Sequence, residues 1–235
     1  MPQIHRGLAF LLHTSAVSAM AWGYFVGLSG TGLDEWVKSQ IGGHMQFLTI
    51  QGLMLTCITM SLAGLHDLLP DLPLVKTLKR GLSLVALPLE FTVSIIYWSL
   101  ILTAPDLIVP VANSEGEPFS AAPIPFRLDL SVDLALHAVP ALTLLLDFLL
   151  FDHKFSRIET TYVAPALAAI MAVWYGSWVE YCASHNNGHF PYPFLTFSSF
   201  PVRLAIYASA TCLALACLWI INPLHSSGSP SVNTD

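Results

Sequence analysis

Thr49 and His137 are the two side chains in this sequence whose types and placement could do chemistry together. A threonine hydroxyl is a latent nucleophile, and an imidazole within reach is the base that takes its proton. Each sits in a separate apolar stretch, where an ionisable group is costly and by default marks function. Counted along helical rise, Thr49 lies about 6 Å and His137 about 9 Å inside the same membrane face. Packed helices run ~8–10 Å apart, so neighbouring spans would bring the two side chains into contact.

The residues around them carry further signals. Asp133 precedes His137 by one helical turn, suited to accept a hydrogen bond from one ring nitrogen and orient the other. Glu180 stands at a similar level and is the alternative orienter. Asp133, His137, Pro140, Leu144 and Asp147 share one helical face, which must look onto protein or water. Pro140 should loosen the hydrogen-bond ladder there and free a backbone group. Glu90 shares a face with Ser94 and Tyr97 but lies about 21 Å deep, below the Thr49 level. It is expected to be a structural or substrate-channel group.

Other readings of the same residues stay open. Thr49, Gly52, Thr56 and Ala63 form a small-residue stripe that would serve close helix packing. A membrane threonine also commonly back-bonds to its own helix. Trp174, Tyr175, Trp178 and Tyr181 read as an interfacial belt, with Trp178 a candidate substrate-lining residue beside Tyr192.

The elements that must hold these groups follow from composition. The chain of 235 residues is 54% apolar and only 10% charged, whereas a soluble domain carries roughly 25% charge. Its long uncharged stretches approach the ~20 residues that cross a bilayer core. Six spans are expected: 7–28, 45–65, 82–104, 131–151, 160–181 and 202–221. The fold class is therefore all-α, a polytopic membrane helix bundle over residues 1–223, followed by a disordered cytosolic tail at 224–235. The first span exceeds a secretory signal core, so it is expected to remain. Arg6, Lys76, Lys79, Arg80, Lys154 and Arg157 fall on one side, against Lys38, Arg127 and Arg203 on the other. That asymmetry places both termini in the cytosol. The segment from Pro105 to Leu130, with Pro118, Pro123 and Pro125, reads as an extended loop on the opposite side.

Several classes are excluded. Without a basic patch, the net charge of −6 gives no footing for nucleic acid. Cys57, Cys182, Cys212 and Cys217 form no C-x-x-C pair, so neither a disulfide framework nor a thiolate metal site is suggested. His44, His185 and His189 gather on the outer side but show no H-E-x-x-H spacing. No metal or cofactor is expected. The sequence has no nucleophile elbow, phosphate loop or dinucleotide fingerprint.

Gly42-Gly43-His44-Met45-Gln46-Phe47-Leu48-Thr49, His137 followed by Pro140, and the aromatic fifth span leading to Tyr192-Pro193-Phe194-Leu195 carry a resemblance over nearly the whole chain. It is similar to the androgen-induced protein family, which includes the androgen-dependent regulator of tissue factor pathway inhibitor. Members are intramembrane threonine hydrolases that cleave fatty acid esters of hydroxy fatty acids. The resemblance implies Thr49 as nucleophile and His137 as base. It implies the lipid bilayer and a lipid ester as partners, and residence in the endoplasmic reticulum or another endomembrane. The rival expectation is a non-catalytic transporter or lipid-binding scaffold, with Glu90, Asp133 and Asp147 as an ion relay.

Overall fold

The protein is described by a computed structural model covering residues 3–108 and 127–225. Every regular element among the described residues is helical. Helix α1 (Gln3–Trp22) runs on through a π-helical turn to Gly27, and a short α2 (Gly32–Lys38) follows. Then come α3 (Leu48–Leu68), α4 (Pro73–Thr103), α5 (Leu130–His137) and α6 (Val139–Leu150). A second π-helical turn at Glu159–Val163 leads into α7 (Ala164–His185), and the short α8 (Pro193–Thr196) precedes α9 (Phe200–Ile221). The expected loop prolines Pro118, Pro123 and Pro125, and the tail from 226, lie outside the described residues.

Among the described residues five helical stretches are long and apolar enough to cross a membrane, and α5 with α6, bent by 43° at the break, passes the same test as a pair and makes a sixth candidate. The pattern is inside-out: Leu11, Phe25, Ile58, Leu102 and Phe197 face outward, while Thr56, Lys79, Glu90, Asp133, His137 and Asp147 are buried. Lipid rewards that arrangement, because polar groups find partners only within the bundle.

The centre of the bundle is α4, which touches α3, α5, α6, α7 and α9; α3 lies between α1 and α4. The small-residue stripe explains the close approach of α3 to α4. A Cβ added at Gly52 would lie 2.7 Å from the Glu90 carboxyl, and Thr56 donates to that carboxyl at 3.1 Å. Helix α5 packs on both α3 and α4, so the second and fourth spans are neighbours.

Helix α4 starts at Pro73 rather than at the expected 82. Its basic first turns are neutralised in place: Lys79 reaches Asp147 at 2.8 Å and Asp152 at 3.1 Å, and Arg80 reaches Glu159 at 2.7 Å. His13 joins the same end of the bundle, bridging Asp67 at 2.6 Å and Asp147 at 2.9 Å.

The fourth span breaks at Ala138, which leaves helical geometry at φ −122° and ψ −46°. Pro140 has no N–H, so the Leu136 carbonyl loses its usual partner and the helix bends there.

Candidate active site

The site forms at the end of the bundle opposite the charge network. Gly42 and Gly43 take positive φ values of 90° and 47°, turning the chain back before a 3₁₀ turn at Gly43–Gln46. At Gly42 a Cβ would also lie 2.5 Å from Cys182 Sγ, so no other residue fits. Helix α7 pins this turn: Trp178 Nε1 donates to the Met45 carbonyl at 2.9 Å and Tyr175 to the Gln46 carbonyl at 3.3 Å. Phe47 is extended, and α3 starts only at Leu48.

Thr49 is thus the second residue of its helix, not four residues in, and peptide N–H groups there have no partner within the helix. The Leu48 N–H donates to the Tyr192 hydroxyl at 3.1 Å. The Tyr192 ring borders the same two cavities as Thr49. Burial pushes the Tyr192 phenol above its ordinary pKa, while its polar neighbours at Thr49 and Leu48 pull the other way.

His137 closes α5 just before the bend. Its Nδ1 lies 3.2 Å from the Asp133 carbonyl oxygen and 3.6 Å from the Asp133 carboxylate. Nδ1–H therefore donates toward Asp133, and Nε2 keeps the lone pair. Tyr97, from α4, stacks on the imidazole at 3.4 Å with the rings 1° from parallel, and its hydroxyl donates to Asp133 Oδ1 at 2.5 Å. Glu180 is occupied elsewhere, accepting from Arg203 at 2.6 Å and Tyr207 at 3.1 Å. It does not orient His137.

Thr49 and His137 line one cavity of about 90 Å³, together with His44, Phe47, Tyr97 and Tyr192. Thr49, Tyr97 and Tyr192 also line a second, apolar cavity of about 150 Å³ that runs between α4, α7 and α9 past Pro88, Met171 and Leu215. Thr49 stands at their junction.

Of the expected substrate-lining residues, Tyr192 borders both cavities. Glu90 borders neither: it is sealed between α3 and α4 against Thr56 and Gly52. Trp178 is likewise off the cavity walls, held against the Met45 carbonyl. Trp174 and Tyr181 are exposed, as an interfacial belt requires, whereas Tyr175 turns inward onto the larger cavity. Glu90, Asp133 and Asp147 each have separate partners, and no hydrogen-bonded chain among the described residues joins them. The three outer histidines do not converge either: His44 bonds Asp34, His185 the Tyr181 carbonyl and His189 the Asn186 carbonyl.

Two residues escaped the sequence reading. Tyr97 was visible only as a neighbour of Glu90 on its helix, because nothing local shows that α4 passes α5. Asp34 lies in a segment with no span, and its link to His44 emerges only once α2 folds back.

Compared with known proteins, residues 8–226 match the family model described as FAR-17a/AIG1-like protein. A UPF0641 membrane protein of Schizosaccharomyces pombe is 30% identical over 226 residues, covering 95% of this chain and 92% of the relative. No solved structure matches the chain.

Proposed function

Starting from the fact that the chain belongs to the FAR-17a/AIG1-like family, we propose that it is an intramembrane hydrolase of lipid esters, with Thr49 as nucleophile and His137 as base. The observation that carries this reading is the cavity shared by Thr49 and His137, with Asp133 and Tyr97 fixing the imidazole. His137 Nε2 takes the Thr49 proton and the alkoxide attacks the ester carbonyl. The imidazolium then protonates the departing alcohol, leaving an acyl-Thr49 ester for water to cleave. The Tyr192 hydroxyl, which borders both cavities beside Thr49, is the donor on hand for the developing oxyanion.

The substrate class follows from the junction. An ester with hydrocarbon on both sides, such as a fatty acid ester of a hydroxy fatty acid, would lay one arm in each cavity and its carbonyl at Thr49. Lipid would supply it laterally. The bundle end bearing Arg6, Lys76, Lys79, Arg80, Lys154 and Arg157 is assigned to the cytosol by its positive charge, with both termini there. The site then opens below the opposite leaflet surface of an endomembrane, and the endoplasmic reticulum is the membrane we propose.

The reading is tested with purified protein and a fatty acid ester of a hydroxy fatty acid. Thr49→Ala and His137→Ala should each abolish hydrolysis above background while retaining the wild-type melting profile. Full hydrolysis by either variant would remove that residue from the chemistry.

A further inference from the structure

Beside the Thr49 site stands a second imidazole–carboxylate pair that the acylation step does not use. His44 Nε2 lies 2.7 Å from Asp34 Oδ1. Asp34 is itself immobilised: its other oxygen accepts from Lys38 Nζ at 2.7 Å and from the Gly30 N–H at 3.0 Å, and its own N–H is capped by the Thr31 hydroxyl at 3.1 Å. Tyr24 meets the His44 ring edge-on at 5.6 Å. The Lys38 ammonium holds the Asp34 carboxyl at about 2, well below its ordinary value, so at neutral pH it accepts from Nε2–H. The lone pair is then on His44 Nδ1, which has no hydrogen-bond partner among the described residues. His44 borders the same cavity as Thr49 and His137. Its supports, α2 and the 3₁₀ turn, lie outside the candidate spanning helices.

We propose that Asp34 and His44 form a second catalytic dyad, which activates the water that releases the acyl group from Thr49. The proposal rests on the hydrolase reading and divides its two half-reactions. His137, stacked under Tyr97, serves the attack by Thr49; His44, held from outside the spanning helices, serves the attack by water. In that step His44 Nδ1 takes one proton from water as the water oxygen bonds to the acyl carbon. The tetrahedral intermediate collapses, the bond from carbon to Thr49 Oγ breaks, and the proton passes from His44 to the departing Thr49 oxygen. Acyl-threonine and water become threonine and a free fatty acid, with no other reactant.

The test uses the full chain in detergent, a fluorogenic fatty acyl ester and a fluorophosphonate probe. In His44→Gln, the rate of Thr49 labelling and the initial burst of alcohol should stay within about twofold of wild type, while steady turnover falls about 10²-fold. Intact-protein mass should show the acyl group accumulating on Thr49. Asp34→Asn should move turnover in the same direction by a smaller factor, and the retained labelling reports that both variants are folded. Unchanged turnover in His44→Gln, or labelling and turnover falling together, would overturn the division of labour. A wild-type protein that takes no label at Thr49 overturns the hydrolase reading, and the dyad with it.

Discussion

A threonine at the second position of a helix lies beside peptide N–H groups with no partner in that helix, and at the positive end of the helix dipole. Both favour an alkoxide at Thr49, and neither was visible from the apolar pattern, which placed the helix start at 45 rather than Leu48. Two left-handed glycines and an extended Phe47 made the difference. The histidine was legible, since burying an imidazole demands a reason, and so was Asp133 one turn earlier. Tyr97 was not, because it joins them from another helix. Tyr97→Phe keeps the stack on His137 but removes a hydrogen bond to a carboxylate, a loss of about 1.5–3 kcal/mol. It should lower kcat about tenfold or more with little change in KM, and Tyr97→Leu should lower it further; steady-state kinetics on the two variants decides. Equal activity in all three would mean that His137 is held without Tyr97.

The bend between α5 and α6 is the element on which the proposed base, His137, depends. Pro140 and the aspartate–histidine spacing could be read directly from the sequence, but the 43° angle at Ala138 could not. Pro140→Ala restores an N–H and lets the ladder run on, which reorients His137 at the end of α5. We expect unchanged or higher thermal stability with at least a tenfold loss of turnover, read by melting and hydrolysis on one preparation. Wild-type turnover would assign the bend to packing against α3 and α4. Helix α2 offers a pH test. Asp34 titrates at about 2 in the folded chain against an ordinary 3.8. A depressed carboxylate stabilises above its unfolded pKa and loses that contribution as pH falls through its folded one. The anchoring of α2 should therefore hold above pH ~4 and fade between ~4 and ~2. Amide exchange in α2 would show this fading in wild type and not in Asp34→Asn.

At the scale of the whole molecule, a bundle of five or six membrane-length helices was legible because a bilayer demands long apolar helices, and these dominate the composition. Which spans adjoin was not, since lipid-facing and buried sides are both apolar and only a few polar side chains mark the interior. The two ends of the bundle differ: Thr49, His137 and His44 line one cavity at one end, and His13, Lys79, Asp147 and Asp152 form a charge network at the other. Lys79→Met strips the cation from two carboxylates, and breaking such a buried pair is worth about 3–5 kcal/mol. It should lower the melting temperature sharply, and Lys79→Met with Asp147→Leu should recover part of the loss. The sites being at opposite ends, label uptake at Thr49 should survive in the folded double variant. The most direct test of the whole account is to trap the acyl intermediate: wild-type protein mixed with ester substrate, quenched in acid, digested and sequenced by mass. An acyl group on Thr49 that is absent in His137→Ala is the result expected. An acyl group on another residue, or turnover with no covalent intermediate at all, would contradict it.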